Sequence, residues 1–403
     1  EALQQALITG LIHSGCNTIN IGLVSSPMLY FATSTFTETA TGIMVTASHN
    51  PAGDNGFKLV LDGQTLSAEG VQLIYQRIVN KNICSGQGTC QSRDIRSTYI
   101  DYIVQRIHLE RPLKCVVDCG NGVGAVAGPE VLRRLGCEVV ELYCDVDGAF
   151  PNHHPDPTVP KNLVDLIARV KVEKADIGLA FDGDADRIGV ITNQGKVIWP
   201  DRQMMLFAQD CLSRHPDEPV IFDVKCSSHL EDIIKQNGGR PLMYKTGHSL
   251  IKAKMKELKA PLAGEMSGHI FFNDEWFGFD DGVYVACRLL RILSQQSLSS
   301  SDLFSTLPDS VNTPELKLPM AEDKKREFMQ RLSTESNFGE TKRVTIDGLR
   351  LDFGFGWGLI RPSNTSAYLI VRFEAQTEAQ LEQLKTVFKR ELLILDGTLS
   401  LPF

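Results

Sequence analysis

The sequence predicts an α/β protein: three related mixed-sheet α/β domains followed by a C-terminal α+β domain. Three observations carry this. Over the first three quarters of the chain, strand-like apolar runs alternate with helix-like amphipathic runs, the pattern of mostly parallel sheets with helices on both faces. The alternation falls into three blocks of about 100 residues, an ordinary domain size. After the polar, Ser-rich stretch "QQSLSSSDLFSTLPDS" the pattern changes to antiparallel-type strands with turn residues between them, closed by an amphipathic helix,.

The first block, residues 1–93, opens with an amphipathic helix, "EALQQALITGLIHSGC". "TINIGLV", "TGIMVTA" and "GFKLVLD" follow as strands around helical segments. The second block, 94–196, reads strand "LKCVVDC", helix "GAVAGPEVLRRLG" and strand "CEVVELY", then the strands "ADIGLAF" and "IGVITN". The third, 197–308, alternates "EPVIFDV", "SHLEDIIKQNG", "RPLMYKT" and "SLIKAKMKELK". The fourth, 309–403, has the strands "TKRVTIDGLRLDFG", "WGLIRPSN" and "AYLIVRFEA" and the helix "TEAQLEQLKTVFKRELL". The first three blocks look like copies of one architecture, but residue-level similarity is too weak for a sequence repeat.

Composition narrows the function classes. The 403 residues are 42% hydrophobic, ample for several cores,. The net charge of −8 argues against a general nucleic-acid binder and leaves room for phosphate ligands held by local arginines,. No apolar run reaches the roughly 18 residues of a membrane span. The N-terminus begins with an acid and lacks a basic region, unlike a signal peptide,. Ten scattered cysteines with no C-x-x-C pair fit reduced, mostly buried thiols in a cytoplasmic protein,.

The most informative stretch is "FDGDADRIG". A strand feeds straight into Asp182, Asp184 and Asp186, which stand at alternate positions. Three such carboxylates repel one another, by about 4 kcal/mol per pair at 4 Å and an effective dielectric near 20, and a divalent cation reverses that penalty. Hard oxygen ligands suit Mg²⁺, which keeps positions open for a phosphate oxygen. An EF-hand is rejected, because its sixth and twelfth loop positions would be Arg187 and Asn193 instead of Gly and Glu,. An acidic turn between strands has the same letters. Arg187 beside the acids favours a bridging anion such as phosphate.

Four further stretches carry polar chemistry. In "TASHNPAGDNGFK", Ser48 and His49 end a strand-like run, and the Asn55-Gly56 turn signal brings Lys58 back toward Ser48,. Lys58 there is a proton-transfer group, a phosphate counter-charge or a solvated lysine. "GEMSGH" sets Glu265, Ser267 and His269 between glycines. Glu and Ser at i and i+2 of an extended segment face one way and suit vicinal sugar hydroxyls, or a polar hairpin turn. "RPSNTS" offers Arg361, Ser363, Asn364 and Thr365 for a phosphate, or an ordinary turn. Lys225 in "DVKCSS" and His248 in "KTGHS" fall at strand-to-helix transitions, where parallel sheets bind ligands. "CGNGVGAVAG" fails G-x-G-x-x-G in both registers, with Ala125 and Ala127 at the required glycines, so a nicotinamide-dependent dehydrogenase is disfavoured,.

Taken together and in this order, "TASHNP", "DGDADR", "GEMSGH" and "RPSNTS" resemble the α-D-phosphohexomutase superfamily, in particular its bacterial phosphomannomutase/phosphoglucomutase branch. The resemblance covers nearly the whole chain. It implies four domains around a central cleft, each supplying one loop. It implies that Ser48 carries the transferable phosphoryl group and that Asp182, Asp184 and Asp186, with an oxygen on Ser48, bind Mg²⁺. Arg187 would lie beside that phosphate, and Lys58 and His269 would take acid–base roles, with His49 next to the nucleophile. Glu265 and Ser267 would contact sugar hydroxyls. Arg361, Ser363, Asn364 and Thr365 would hold the non-reacting phosphate, and Lys225 and His248 would make further substrate contacts. Members of the family begin with a further segment that holds an opening strand and a site arginine, which has no counterpart here.

The implied reaction is reversible transfer between C1 and C6 of mannose or glucose phosphates through a 1,6-bisphosphosugar, with glucose or mannose 1,6-bisphosphate as activator. The expected partner is a small phosphosugar, with no nucleic acid or membrane, acted on by a monomer or weak dimer. Phosphoglucosamine mutase is the alternative within the superfamily, although that branch carries Gln where Met266 stands. A Mg²⁺-dependent sugar phosphatase is the alternative outside it.

Overall fold

The computed structural model describes residues 1–50, 53–66, 68–363 and 366–403. It divides into two compact units. The first comprises Glu1–Ile221, Ile233–Pro241 and Gly247–Leu307, and the second comprises Phe222–Asp232, Leu242–Thr246 and Pro308–Phe403.

In the first unit, the second block follows the alternation most closely. Strand Lys114–Asp118 runs parallel to both Glu138–Leu142 and Ile177–Phe181. The helix Gly128–Arg134 fills the first crossover, with Pro129 in its first turn, where a missing N–H costs nothing. Every residue of Ile177–Phe181 and of Ile188–Thr192 is buried, as expected of strands covered on both faces,. The pairing of these two is antiparallel. Only residues 182–187 separate them, too few for the crossover that parallel pairing needs, so the acidic loop itself makes the sheet mixed.

The first block departs from the parallel expectation. Thr18–Asn20 pairs in parallel with Cys90–Ser92, but Gly42–Val45, Phe57–Leu61 and Gln64–Thr65 form an antiparallel three-stranded sheet. Among the described residues their connections are loops and tight turns, not helices, and short connections of this kind give antiparallel neighbours,. The opening helix, Ala2–His13, is present, but none of its residues is buried. In the third block, Leu262–Gly264 and Ile270–Phe272 form an antiparallel hairpin beneath the helix Pro200–Arg214, whose Met204 packs on Gly264. The Ser-rich stretch does contain the boundary where the first unit ends at Leu307 and the second resumes at Pro308, and it is structured. Ser299 caps the helix Ser300–Ser305, which buries Leu303 and Phe304, a consequence of the Ser-x-x-Asp capping signal outweighing local polarity.

The second unit carries an antiparallel sheet in which Tyr368–Ala375 pairs with Gly356–Pro362, Leu316–Pro319 and Val311–Asn312. Leu349–Asp352 and Lys342–Val344 continue it beyond Gly356–Pro362. The helices Glu322–Glu335 and Glu378–Leu395 pack on it. Thr377 caps the latter through a hydrogen bond from the Gln380 N–H,. Their apolar stripes, with Phe328, Leu332, Leu384 and Phe388, join the sheet residues Leu351, Ile360, Val371 and Phe373 in one core.

Candidate active site

Ser48 sits in the loop between strands Gly42–Val45 and Phe57–Leu61, whose register sets Met44 opposite Lys58. Its φ of 54° is left-handed, a conformation that costs a non-glycine residue about 1–3 kcal/mol and persists only where surroundings enforce it. The Ser48 N–H donates to Thr46 Oγ1 at 2.9 Å, and the Asn50 N–H to the Ala47 carbonyl at 2.9 Å. The acidic loop presses against this turn. A Cβ at Gly183 would lie 2.1 Å from the Ser48 carbonyl oxygen, so only glycine lets the two loops meet.

Asp182, Asp184 and Asp186 are all buried. A tight turn brings them together, with Ala185 at φ 60° and its N–H on the Asp182 carbonyl at 3.1 Å. One oxygen from each lies within 4.8 Å of the others. The Ser48 hydroxyl is 2.6 Å from Asp184 Oδ1 and 3.1 Å from Asp182 Oδ2. Lys58 Nζ bridges Asp184 Oδ2 at 2.6 Å and Asp186 Oδ2 at 2.5 Å. Arg187 returns on Asp182 Oδ2 through Nη2 at 3.0 Å and Nε at 3.1 Å, and reaches Asp156 at 3.5 Å. Asp186 Oδ1 is buried with no hydrogen-bond partner among the described residues. That oxygen lies 3.6 Å from His269 Nδ1 and 3.9 Å from Arg187 Nε, and with the other acids and the Ser48 hydroxyl it makes an all-oxygen donor set that fits a small divalent cation,.

The charges tune one another. Burial, reinforced by the neighbouring acids, pushes Asp182 up to about 7 against the pull of Arg187. Burial acts the same way on Asp184, but the Lys58 ammonium and the hydroxyls of Ser26 and Ser48 outweigh it and hold Asp184 low. Burial and then Arg187 bring His49 down to about 4. Its Nδ1 is 3.1 Å from the Ser48 hydroxyl.

Glu265 and Ser267 lie between the two strands of the hairpin. The turn closes through the Glu265 N–H on the His269 carbonyl, at 2.8 Å, with Gly268 at φ 98°. Glu265 Oε1 accepts the Gly247 N–H at 2.5 Å and Oε2 accepts the Ser267 hydroxyl at 3.1 Å, so the two side chains meet through the hairpin turn and not through the alternation of an extended segment,. His269 Nδ1 stands 2.9 Å from Asp280 Oδ2 and 3.6 Å from Asp186 Oδ1. His248, the first residue of helix His248–Leu258, stacks on His269 with ring centroids 5.4 Å apart. Asp186, His269 and Asp280 make a second close group of potential metal ligands.

The second unit places Lys225, Arg361 and Ser363. Lys225 Nζ pairs with Glu315 at 2.6 Å and lies 3.6 Å from Asp223, while its carbonyl accepts from Arg372. Arg350 fixes the same segment through the carbonyls of Val224 and Cys226, at 2.6 and 2.8 Å. Arg361 is buried. Its Nε meets Asp347 at 2.9 Å, and its Nη2 has no hydrogen-bond partner among the described residues, which leaves a charged donor open to an acceptor such as an anion. The Ser363 carbonyl accepts from Lys325 Nζ at 2.8 Å. Asn364 and Thr365 lie outside the described residues.

Several partners escaped the sequence reading. Ser26 donates its hydroxyl to Asp184 Oδ2 and its N–H to the Asp184 carbonyl. Ser25, Ser26 and Pro27 open the helix Ser26–Thr35, a local signal that marks a helix start and not what it faces. Asp280, held by Lys252 Nζ at 3.0 Å, and Asp347 and Lys325 had no motif to mark them.

A serine hydroxyl on a carboxylate triad, flanked by Lys58 and Arg187 within a multi-block α/β architecture, is the arrangement of a phosphoryl-transfer enzyme. Family models for phosphoglucomutase/phosphomannomutase domains I, II and III and its C-terminal domain match residues 1–82, 97–195, 199–311 and 314–391. The chain belongs to the phosphoglucomutase/phosphomannomutase family. It is 51% identical over 401 residues to a phosphomannomutase/phosphoglucomutase of Pseudomonas aeruginosa, covering 100% of this chain and 86% of that one. It is 49% identical over 393 residues to a phosphoglucomutase of Neisseria meningitidis, covering 96% and 85%. A crystal structure of a phosphoglucomutase/phosphomannomutase family protein from Burkholderia thailandensis superposes with a TM-score of 0.95 at 46% identity, covering 100% of this chain and 88% of that one. No helix among the described residues is long and apolar enough to cross a membrane.

Proposed function

We propose that this hexose-phosphate mutase, an isomerase, interconverts the 1- and 6-phosphates of mannose and glucose through phospho-Ser48 and a 1,6-bisphosphosugar. The observation that carries the phosphoserine route is the Ser48 hydroxyl 2.6 Å from Asp184, whose other oxygen holds Lys58. A phosphoryl group on Ser48 oxygen adjoins both the acidic cluster and its cations.

In the forward step the bond from phosphorus to Ser48 oxygen breaks as a bond to the free sugar hydroxyl forms. The hydroxyl proton passes to a base, for which His269 and Lys58 are the candidates. Positioning and charge stabilisation do most of the work in such transfers. Asp182, Asp184 and Asp186 would hold Mg²⁺, which when bound offsets negative charge on the phosphoryl oxygens. Lys58 and Arg187 add positive charge, and His49 orients the Ser48 oxygen. Glu265 and Ser267 take sugar hydroxyls, and Lys225 and His248 further substrate atoms. Arg361 and Ser363, with Asn364 and Thr365, take the phosphate that is not transferred. The bisphosphosugar then turns end over end and returns its other phosphate to Ser48.

The same reading assigns the four domains to 1–93, 94–196, 197–308 and 309–403, with glucose or mannose 1,6-bisphosphate as activator and the cytoplasm as compartment. A coupled assay with mannose 1-phosphate, glucose 1-phosphate and glucosamine 1-phosphate, monitored also for free phosphate, tests it. Turnover of the first two without phosphate release is expected. Preference for glucosamine 1-phosphate, or stoichiometric phosphate release, would overturn it.

A further inference from the structure

Two thiols stand together at the end of the second block's sheet. Cys119 follows strand Lys114–Asp118 and is buried, whereas Cys144 follows the parallel neighbour Glu138–Leu142 and is partly exposed. Their sulfurs are 3.4 Å apart. The approach is built by the backbone. The Cys119 N–H still pairs with the Leu142 carbonyl at 3.1 Å, continuing the ladder. Tyr143 then adopts a left-handed φ of 53°, and Asn121, at φ 62°, returns its N–H to the Tyr143 carbonyl at 2.8 Å. These two left-handed residues, neither of them glycine, turn the ends of both strands so that Cys144 faces Cys119.

The pair is wired to the acidic loop. The Cys119 carbonyl accepts the Gly122 N–H at 2.7 Å, and the next residue, Val123, donates its N–H to the Gly183 carbonyl at 3.0 Å. Gly122 and Gly183 pack so closely that a Cβ on Gly122 would lie 2.8 Å from the Gly183 oxygen. Gly183 sits between Asp182 and Asp184 and touches the Ser48 carbonyl. Movement of Cys119 therefore has a short covalent and hydrogen-bonded path to the triad.

We propose that Cys119 and Cys144 form an oxidisable thiol pair, a modification site at which a hydroperoxide makes a disulfide that displaces the acidic loop and lowers phosphoryl transfer. The step balances. The partly exposed Cys144 sulfur attacks the peroxide, the O–O bond breaks, and a sulfenic acid and one water form from hydrogen peroxide. The Cys119 sulfur then displaces the hydroxyl of that sulfenic acid, giving the disulfide and a second water. Two electrons and two protons leave the thiols, and a thiol reductant reverses the change by exchange. Closing the sulfurs from 3.4 Å to the roughly 2.0 Å of a disulfide draws them together by more than an ångström, and the part of that displacement passed through Gly122 and Val123 to Gly183 misplaces the triad, where such shifts cost rate. Disulfides in a reducing compartment are characteristically transient and regulatory. The activity limb of this proposal rests on the mutase reading, but the bond itself does not.

The experiment treats the purified protein with hydrogen peroxide, maps peptides by mass, and assays mutase turnover before and after dithiothreitol. A peptide pair linked through Cys119 and Cys144 is expected, with activity lower by roughly 10- to 100-fold and recovered on reduction. Cys144→Ser should keep its activity under the same treatment. A Cys119→Ala variant provides the second test should Cys144→Ser not fold. Absence of the link overturns the proposal, as does a link that leaves activity unchanged or an equal loss in the variants. If the reduced protein has no mutase activity, the mutase reading fails, whereas failure of the thiol proposal shows in the peptide map.

Discussion

Ser48 and Asp184, 136 positions apart, share a hydrogen bond of 2.6 Å. The same carboxylate holds Lys58 and Ser26 through its other oxygen. One buried acid thus joins a strand-end serine, a strand lysine and a helix-start serine. The contact makes a phosphoryl group on Ser48 chemically sensible, because cationic groups already compensate the acids around it.

Ser48→Ala removes the only oxygen proposed to carry the phosphoryl group. Intact-mass spectra of the wild type should show a fraction heavier by one phosphoryl group, absent from Ser48→Ala. Mutase turnover should fall by at least about 10³-fold. Wild-type activity in Ser48→Ala would exclude the nucleophile assignment.

The acidic triad should depend on divalent cation for activity and not for folding. Chelation with EDTA should abolish turnover and Mg²⁺ should restore it. Asp184→Asn, with one ligand charge fewer, should lose the upward shift in melting temperature that Mg²⁺ gives the wild type through binding to the folded state. An equal Mg²⁺-induced shift in both proteins would place the cation elsewhere.

The pair His153–Asp118 makes part of the stability depend on pH. Nε2 of His153 lies 3.0 Å from Oδ2 of the buried Asp118. Burial pulls the imidazole down, but the hydrogen bond and charge of Asp118 outweigh it and raise the pKa above the ordinary value. A raised folded-state pKa contributes stability that is fully present below the unfolded value near 6.5 and lost as pH rises through the folded one. Urea unfolding should therefore show His153→Gln less stable than wild type by about 1 kcal/mol below about pH 6.5, with the gap closing as the pH rises above it. A gap that widened with pH would refute this.

Arg288 is fully buried in helix Gly282–Ser294. It makes two bonds to Asp274, at 2.7 and 2.8 Å, and one to Asp210 at 3.0 Å. Arg288→Met strands the buried Asp274 carboxylate beside a single remaining arginine, Arg214. Breaking such a pair costs about 3–5 kcal/mol. Chemical denaturation should show that loss, and a change under about 1 kcal/mol would mean the acids relax toward water.

Much of the site was legible because its chemistry is contiguous. Three acids at alternate positions after an all-apolar strand read as one loop whatever surrounds them. Glu265 and Ser267 were expected to face one way in an extended segment, but they lie in the turn of a hairpin, and it is the turn that brings the Ser267 hydroxyl onto Glu265. The antiparallel pairing in the first block was not legible, since an apolar run does not state its neighbour or direction. The partners Ser26, Asp280 and Asp347 were invisible for a related reason. An isolated Ser or Asp acquires meaning only from what lies opposite it.

The sequence by itself determined the four-block organisation and marked the loops proposed to bear the chemistry, because apolar period and short polar motifs act over a few residues. Only the tertiary structure decided which charges compensate which. It set Lys58 across two carboxylates, turned Arg187 back onto Asp182, brought Gly183 against a left-handed Ser48, and faced Cys144 toward Cys119. These are contacts between segments tens to more than a hundred positions apart, or turns whose aim depends on the packing around them. Coulomb attraction, desolvation and close packing act on distance in space, which the order of residues along the chain does not contain.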